Sequence, residues 1–280
     1  MVKGLLKLTR VGEYYGSVLI LTGVSLVANH SLSLSNRGLL LISLLLLNIF
    51  CFAINDIEDA DDDFHDATKK LRNPISAGII GRGVAHIFAW LTVVIGLILL
   101  IPFGLLTLIA GLAIIILGFL YSYKPVRLKS VPFLDLLSHG LFLGGLQSFI
   151  IISANNNPVS QNGFVIIFLI FIGSLMGDIN NEIRDHEVDR KTQIKNTASV
   201  LNLQKLGPLM HFLSVIPFGL LFLIVFLEIN NQTRLITLAI SFIIGMYYLI
   251  TYASRRRRGF YDKHGQQLIS LLGLILVLLG

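Results

Sequence analysis

Residues 38–66 read GLLLISLLLLNIFCFAINDIEDADDDFHD. The first part, 38–55, is apolar over nearly the length of a membrane crossing, and the twelve positions 55–66 then hold seven carboxylates. A spanning helix needs about 20 mostly apolar residues. The stretch therefore predicts a transmembrane helix that leads directly into a dense acidic end.

The rest of the chain extends this pattern. Of 280 residues, 54% are hydrophobic and 14% charged, and the mean hydropathy is +0.78, which excludes a water-soluble globule with a mixed surface. Apolar runs bounded by charge or turn residues fall at 13–29, 38–55, 84–101, 103–121, 131–153, 163–181, 208–228, 234–252 and 266–280. They predict an all-α integral membrane protein with nine transmembrane helices, read as one polytopic domain over 1–280. The third and fourth runs are divided only by Ile101-Pro102-Phe103-Gly104, a turn signal inside continuous apolar sequence.

Lys and Arg set the orientation. With the N-terminus cytoplasmic, twenty of the 22 Lys and Arg fall on inner segments, and Arg37 and Arg234 are the two outside. Residues 1–12 then lie along the cytoplasmic surface. Val-Ala-Asn-His at 27–30 is a poor cleavage site, so the first run is expected to be an uncleaved helix. The expected location is the cell's inner membrane, with membrane lipid as the constant partner. A net charge of +6 and a pI near 9.5 follow from loops facing an anionic leaflet and require no nucleic acid. Arg255–Arg258 reads as a topology and lipid anchor. Cys51, the single cysteine, has no disulfide partner and reads as packing.

The acids are confined to two windows. Twelve of sixteen lie in 56–66 and 178–189, each at the cytoplasmic end of a predicted span, the second and the sixth. The expected connecting segments are 55–83 and 178–207. On a continued helix, Asn55, Asp59 and Asp63 follow at i, i+4 and i+8 with Asp56 beside them, and Asp178, Glu182, Asp185 and Asp189 make a second stripe. Such spacing repels unless something positive intervenes. Asp61, Asp62, Asp66 and Glu187 fall off the stripes and read as loop solvation. Carboxylates suit Mg²⁺, which commonly bridges them to phosphate oxygens. Lys69, Lys70 and Arg72 follow the first window, Arg184, Arg190 and Lys191 interleave with the second, and the segment 121–129 supplies Lys124, Arg127 and Lys129, all suited to bind those oxygens as well. The windows together predict a diphosphate–Mg²⁺ site at the cytoplasmic face.

At these residues the chain resembles the UbiA family of intramembrane prenyltransferases. Asn55-Asp56-Ile-Glu-Asp59-Ala-Asp-Asp-Asp63 matches the family's NDxxDxxxD, and Asp185-His-Glu-Val-Asp189 its DxxxD. Arg72-Asn-Pro74-Ile-Ser-Ala-Gly78 is similar to its RPxxSG-like loop with an Asn inserted, and Tyr121 to Lys129 to its YSxxPxRLK loop, followed by Asp135 and His139. His139 itself reads as helix packing.

The resemblance implies a bundle around a central apolar chamber. It implies Mg²⁺-dependent transfer of a prenyl group from an allylic polyprenyl diphosphate to a lipophilic acceptor: a quinone precursor, a carotenoid or another lipid. Asn55, Asp59, Asp63, Asp185 and Asp189 would hold the metal, the four aspartates of that set acting catalytically. Asn55, Asp56, Arg72, Tyr121, Lys124, Arg127, Lys129, Asp135, Arg190 and Lys191 would bind substrate. Phe52, Tyr121 and Tyr123 are candidates to face an allylic cation, and Asp135 or a second-motif acid is a candidate base.

Other classes fit less well. A cation transporter would place its acids near the bilayer midplane. The DGxxAR signature of a membrane phosphotransferase is missing, and DADDDFHDATKK lacks the Gly and final Glu of an EF-hand loop.

Overall fold

A computed structural model describes residues 1–29, 31–191, 195–228 and 270–278, and the described residues are helical throughout, with no strand. A surface helix, α1 (Val2–Leu8), precedes α2 (Val11–Leu26), and the long α3 (Leu34–Phe64) follows. A short α4 (Ala67–Arg72) leads to α5 (Arg82–Leu100) and α6 (Leu105–Ser122). Next come α7 (Leu134–Gly140), a π turn (Leu141–Gly145), α8 (Leu146–Ile152), α9 (Gln161–Lys191), α10 (Thr197–Val200) and α11 (Gly207–Glu228). Among the described residues, five stretches are long and apolar enough to cross a bilayer: Leu34–Phe64, Arg82–Phe103, Leu105–Ser122, Leu134–Ile152 and Gln161–Ile183.

The length of α3 explains the junction in its sequence. At about 1.5 Å per residue, its 31 residues measure about 46 Å, against a hydrocarbon thickness of about 30 Å. The surplus corresponds to roughly ten residues, which matches the acidic end. The segment expected to be a connection from 55 is therefore helical to Phe64, because a helix leaving the bilayer needs no new backbone partners. Ser33 caps its start through Asn36 N at 3.3 Å.

Around α3 the bundle closes through apolar and small residues. Leu40, Leu44, Leu47, Phe50 and Ile54 are fully buried or nearly so, and Ser43 Oγ donates to Gly96 O of α5 at 2.8 Å. Cys51 sits against Gly118 of α6, where an added Cβ would meet Sγ at 2.3 Å, so packing is its role. Asn48 and Gln147 exchange two amide hydrogen bonds of 3.1 Å between α3 and α8.

The turn at 101–104 is a 3-10 turn ending at Gly104, whose φ of 108° only glycine adopts readily. The run 131–153, expected as one helix, is helical over Leu134–Ile152 with a π turn inside it, where Gly140 and Gly144 press on Phe171 and Ser174 of α9. Residues 234–252 and Arg255–Arg258 lie outside the described residues; within the last apolar run, 270–278 are helical. Large apolar side chains such as Ile87, Leu91, Ile98, Leu105, Ile109 and Ile116 face outward on α5 and α6, as helices in lipid require. The chain is an integral membrane protein.

Candidate functional site

The acidic end of α3 presents two faces. A helix turns by about 100° per residue, so Asn55, Asp59 and Asp62 lie within about 60° of one another, while Asp56 and Asp63 lie about 20° apart on the neighbouring face. The single stripe expected from i, i+4, i+8 spacing thus divides, because the drift over eight residues is about 80°.

The first face meets the segment after α6. Lys129 Nζ donates to Asn55 Oδ1 at 2.9 Å and to Asp59 Oδ2 at 2.5 Å. Arg127 Nη2 bridges Asp59 Oδ1 and Asp62 Oδ2, each at 3.0 Å. Ser122 Oγ donates to Asn55 Oδ1 at 3.2 Å, and the Lys124 backbone N–H to Glu58 Oε2 at 3.0 Å. Lys124 Nζ lies 3.7 Å from Asp62 and 4.0 Å from Asp61, and Arg82 pairs with Asp61 at 2.5 Å. Asp62, read from sequence as solvation, is therefore part of the paired face. Burial pulls the Lys129 ammonium below its usual pKa, opposed by Asp59.

The second face is closed by Arg10 and Asn73. Arg10 Nη1 donates to Asp56 Oδ1 at 3.3 Å, and its guanidinium lies over the Phe52 ring, 4.9 Å from the centroid. Asn73 is fully buried; its Nδ2 donates to Asp56 O at 2.7 Å and Asp63 Oδ2 at 3.0 Å, while its Oδ1 accepts from Ile75 N and Ser76 N. The residue inserted in the RPxxSG-like loop thus fastens that loop to the first motif, together with Ser76 Oγ, which donates to Ala60 O at 2.6 Å. Its neighbour Arg72 ends α4 exposed. Arg10 and Arg127 both hold left-handed backbone, φ 47° and 46°, at a cost of about 1–2 kcal/mol each. Two strained arginines converge on one helix end, a concentration typical of functional sites.

The end of α9 is held differently. Asp135 of α7 is fully buried: Oδ1 accepts from Leu136 N at 2.7 Å and Thr197 Oγ1 at 2.6 Å, and Oδ2 from Thr197 N at 2.6 Å. Glu182 Oε2 accepts from Ala198 N at 2.9 Å. Asp178 Oδ1 is 3.5 Å from His139 Nε2, and His139 Nδ1 faces Ser174 Oγ at 3.3 Å. Tyr121 adjoins the His139 and Phe142 rings at 6.2 and 5.3 Å. Asp185 is half-buried on α9. Asp189, Arg190 and Lys191 continue the same helix, but their side chains, like that of Arg184, lie outside the described residues.

Sequence reasoning named Lys124, Arg127 and Lys129, and the structure brings them to Asp59 and Asp62. It missed Arg10, Asn73, Thr197 and Ala198. Only Asn73 carried a signal, as a departure from the motif. Among the aromatic candidates, Phe52 is stacked on Tyr14 at 4.5 Å and Tyr123 on Phe119 at 4.8 Å. Among the described residues, no three His, Cys, Asp or Glu side chains gather as a metal-binding group. The oxygen donors of the first motif lie instead among cationic side chains.

Comparison with known proteins agrees with this picture. A model described as the UbiA prenyltransferase family matches residues 17–265. The lycopene elongase/hydratase of Haloarcula japonica is 32% identical over 157 residues, 55% of this chain and 50% of that protein. Its namesake in Haloferax volcanii is 27% identical over 170 residues, 55% and 49% of the two chains. The match thus spans about half the length of these curated relatives. A solved UbiA homolog from Archaeoglobus fulgidus, bound to GPP and Mg²⁺, shares the fold with a TM-score of 0.74 over 98% of each chain at 21% identity. With both motifs on their helices and the family pattern running through most of its length, this chain belongs to the UbiA prenyltransferase family.

Proposed function

We propose that this protein transfers a prenyl group from an allylic diphosphate to a lipophilic acceptor within the membrane, and that the acceptor is an acyclic carotenoid or similar isoprenoid. The observation that carries the reading is the cation-lined carboxylate face at Asn55, Asp59 and Asp62, where Arg127 and Lys129 converge. The names of the two curated relatives support the carotenoid acceptor. The distribution of Lys and Arg supports nine spans with this face in the cytoplasm.

The oxygen donors of the first motif suit Mg²⁺. They are hard oxygens, and Asp56 Oδ2 is buried without a hydrogen-bond partner, an acceptor left for a cation or donor to satisfy. Asn55, Asp59 and Asp63 of α3, with Asp185 and Asp189 of α9, would hold the metal. When bound, Mg²⁺ supplies charge neutralisation of the diphosphate.

The chain's own groups do the remaining work. Arg127 and Lys129 are long side chains held by carboxylates and bind phosphate oxygens in the same way. They would thus stabilise the departing pyrophosphate as the allylic carbon–oxygen bond breaks. Tyr121, beside His139 and Phe142, is the aromatic best placed to face the allylic cation. Apolar spans exclude the water that would quench that cation. The acceptor's double bond attacks, and a proton then leaves to a second-motif acid, because both Asp135 oxygens are engaged by the 197 segment.

The test is incubation of membranes containing the protein with labelled dimethylallyl or geranyl diphosphate and lycopene. The expected result is a lipid heavier by one prenyl unit and release of pyrophosphate. Labelled alcohol alone, or label only in polar products, would overturn the reading.

A further inference from the structure

The proposed reaction needs the acidic ends of α3 and α9 to keep a fixed spacing. The covalent path between their partners is short on one side. Lys129, which holds Asn55 and Asp59, lies in the 3-10 turn Leu128–Ser130, and Phe133, the cap of α7, is four residues beyond Lys129. Phe133 N donates to Thr197 Oγ1 at 2.6 Å. That hydroxyl donates in turn to Asp135 Oδ1 at 2.6 Å, and Thr197 N to Asp135 Oδ2 at 2.6 Å. Ala198 N completes the set on Glu182 Oε2 at 2.9 Å, one turn before Asp185 on α9.

Four hydrogen bonds thus converge on two residues. Thr197 and Asp135 are at most 1% exposed and Glu182 8%, so these bonds form where water competes little. The helix they anchor, α10, has four residues, too few to hold itself. Asn196 caps it through Ser199 N at 3.0 Å. The chain orders this turn only by docking it between α7 and α9.

We infer that Thr197 is a positioning residue of the diphosphate site. Clamped by Asp135 and, through Ala198, by Glu182, it fixes the second-motif end of α9 relative to the turn carrying Arg127 and Lys129. The inference rests on the prenyl-transfer reading. The hydroxyl is required because it accepts from Phe133 and donates to Asp135 at once; an isosteric methyl does neither.

The experiment compares the full chain with Thr197→Val and Thr197→Ser in nanodiscs. Calorimetry reads binding of geranyl S-thiolodiphosphate with Mg²⁺, and steady-state assays read kcat and KM separately. Thr197→Val is expected to weaken analogue binding and raise the diphosphate KM by about tenfold, the lower bound for a lost supporting hydrogen bond at a metal site. Its kcat should stay within about twofold, and Thr197→Ser should restore both constants. Unchanged binding in Thr197→Val, a loss confined to kcat, or no rescue by serine would overturn the inference. If the valine variant does not accumulate, hydrogen exchange on the wild type decides: slow exchange at the Thr197 and Ala198 amides supports the clamp, and fast exchange overturns it. A wild type that binds the analogue but turns over no allylic diphosphate would sink the prenyl-transfer reading alone, with the clamp still tested by binding.

Discussion

Among the described side chains, the acidic end of α3 and the Asp178–Glu182 turn of α9 are neutralised by different means. On α3, the partners are the side chains of Arg10, Arg82, Lys124, Arg127 and Lys129, drawn from three separate segments. On α9, and on Asp135 beside it, they are backbone N–H groups, a hydroxyl and an imidazole. A guanidinium or ammonium on a flexible stem can pass from a carboxylate to a phosphate; an amide fixed in a helix cap cannot. The contrast separates a cation-paired, exchangeable surface on α3 from a hydrogen-bonded framework at Asp135, Asp178 and Glu182.

Removing the metal should break the α3 side completely. Chelation by EDTA is expected to stop prenyl transfer and Mg²⁺ to restore it, read as lipid product. Asp59→Ala, which strips Arg127 and Lys129 of their shared anion, should lower turnover by about 10³ while the protein still inserts and purifies. Lys129→Met should cost about 10² in kcat/KM, because the methylene stem remains and only the charge is lost.

Where a carboxylate is held by fixed hydrogen-bond donors, at either helix end, the effects should fall on folding. Asn73→Ala leaves the buried Asp63 carboxylate and the Asp56 carbonyl without their donor, costing about 1–3 kcal/mol, measurable as a lower unfolding temperature in detergent. Glu182→Gln retains an oxygen for Ala198 N and should leave kinetics within about twofold. A large loss there would erase the distinction between the two ends, by making α9 a charged surface as well.

Much of the α3 end is visible in one dimension. An apolar run ending in NDxxDxxxD, with a basic loop after a later span, foretells an acidic helix end and a set of cations for the same site; the helical course to Phe64 and the direct pairing of Arg127 and Lys129 with Asp59 came from the structure. Periodicity misassigned Asp62 because the stripe was drawn through Asp63, and the accumulated drift of about 80° matters only when a partner docks on one side. Asp135 was read as a base or substrate ligand. Its burial and its bonds to Thr197, 62 residues away, could not be inferred from its own neighbourhood. Arg10 was counted only as a topology signal, since nothing local relates it to Asp56, 46 residues on.

The sequence by itself therefore determined the long apolar helices found among the described residues, the two acidic ends and the family, because hydrophobic length and motif spacing are local properties of a helix. Which carboxylates face cations and which are locked onto backbone amides was decided by tertiary structure alone. Hydrogen bonds and ion pairs act over a few ångströms, and only packing brings Lys129 to Asn55, 74 residues away in the chain.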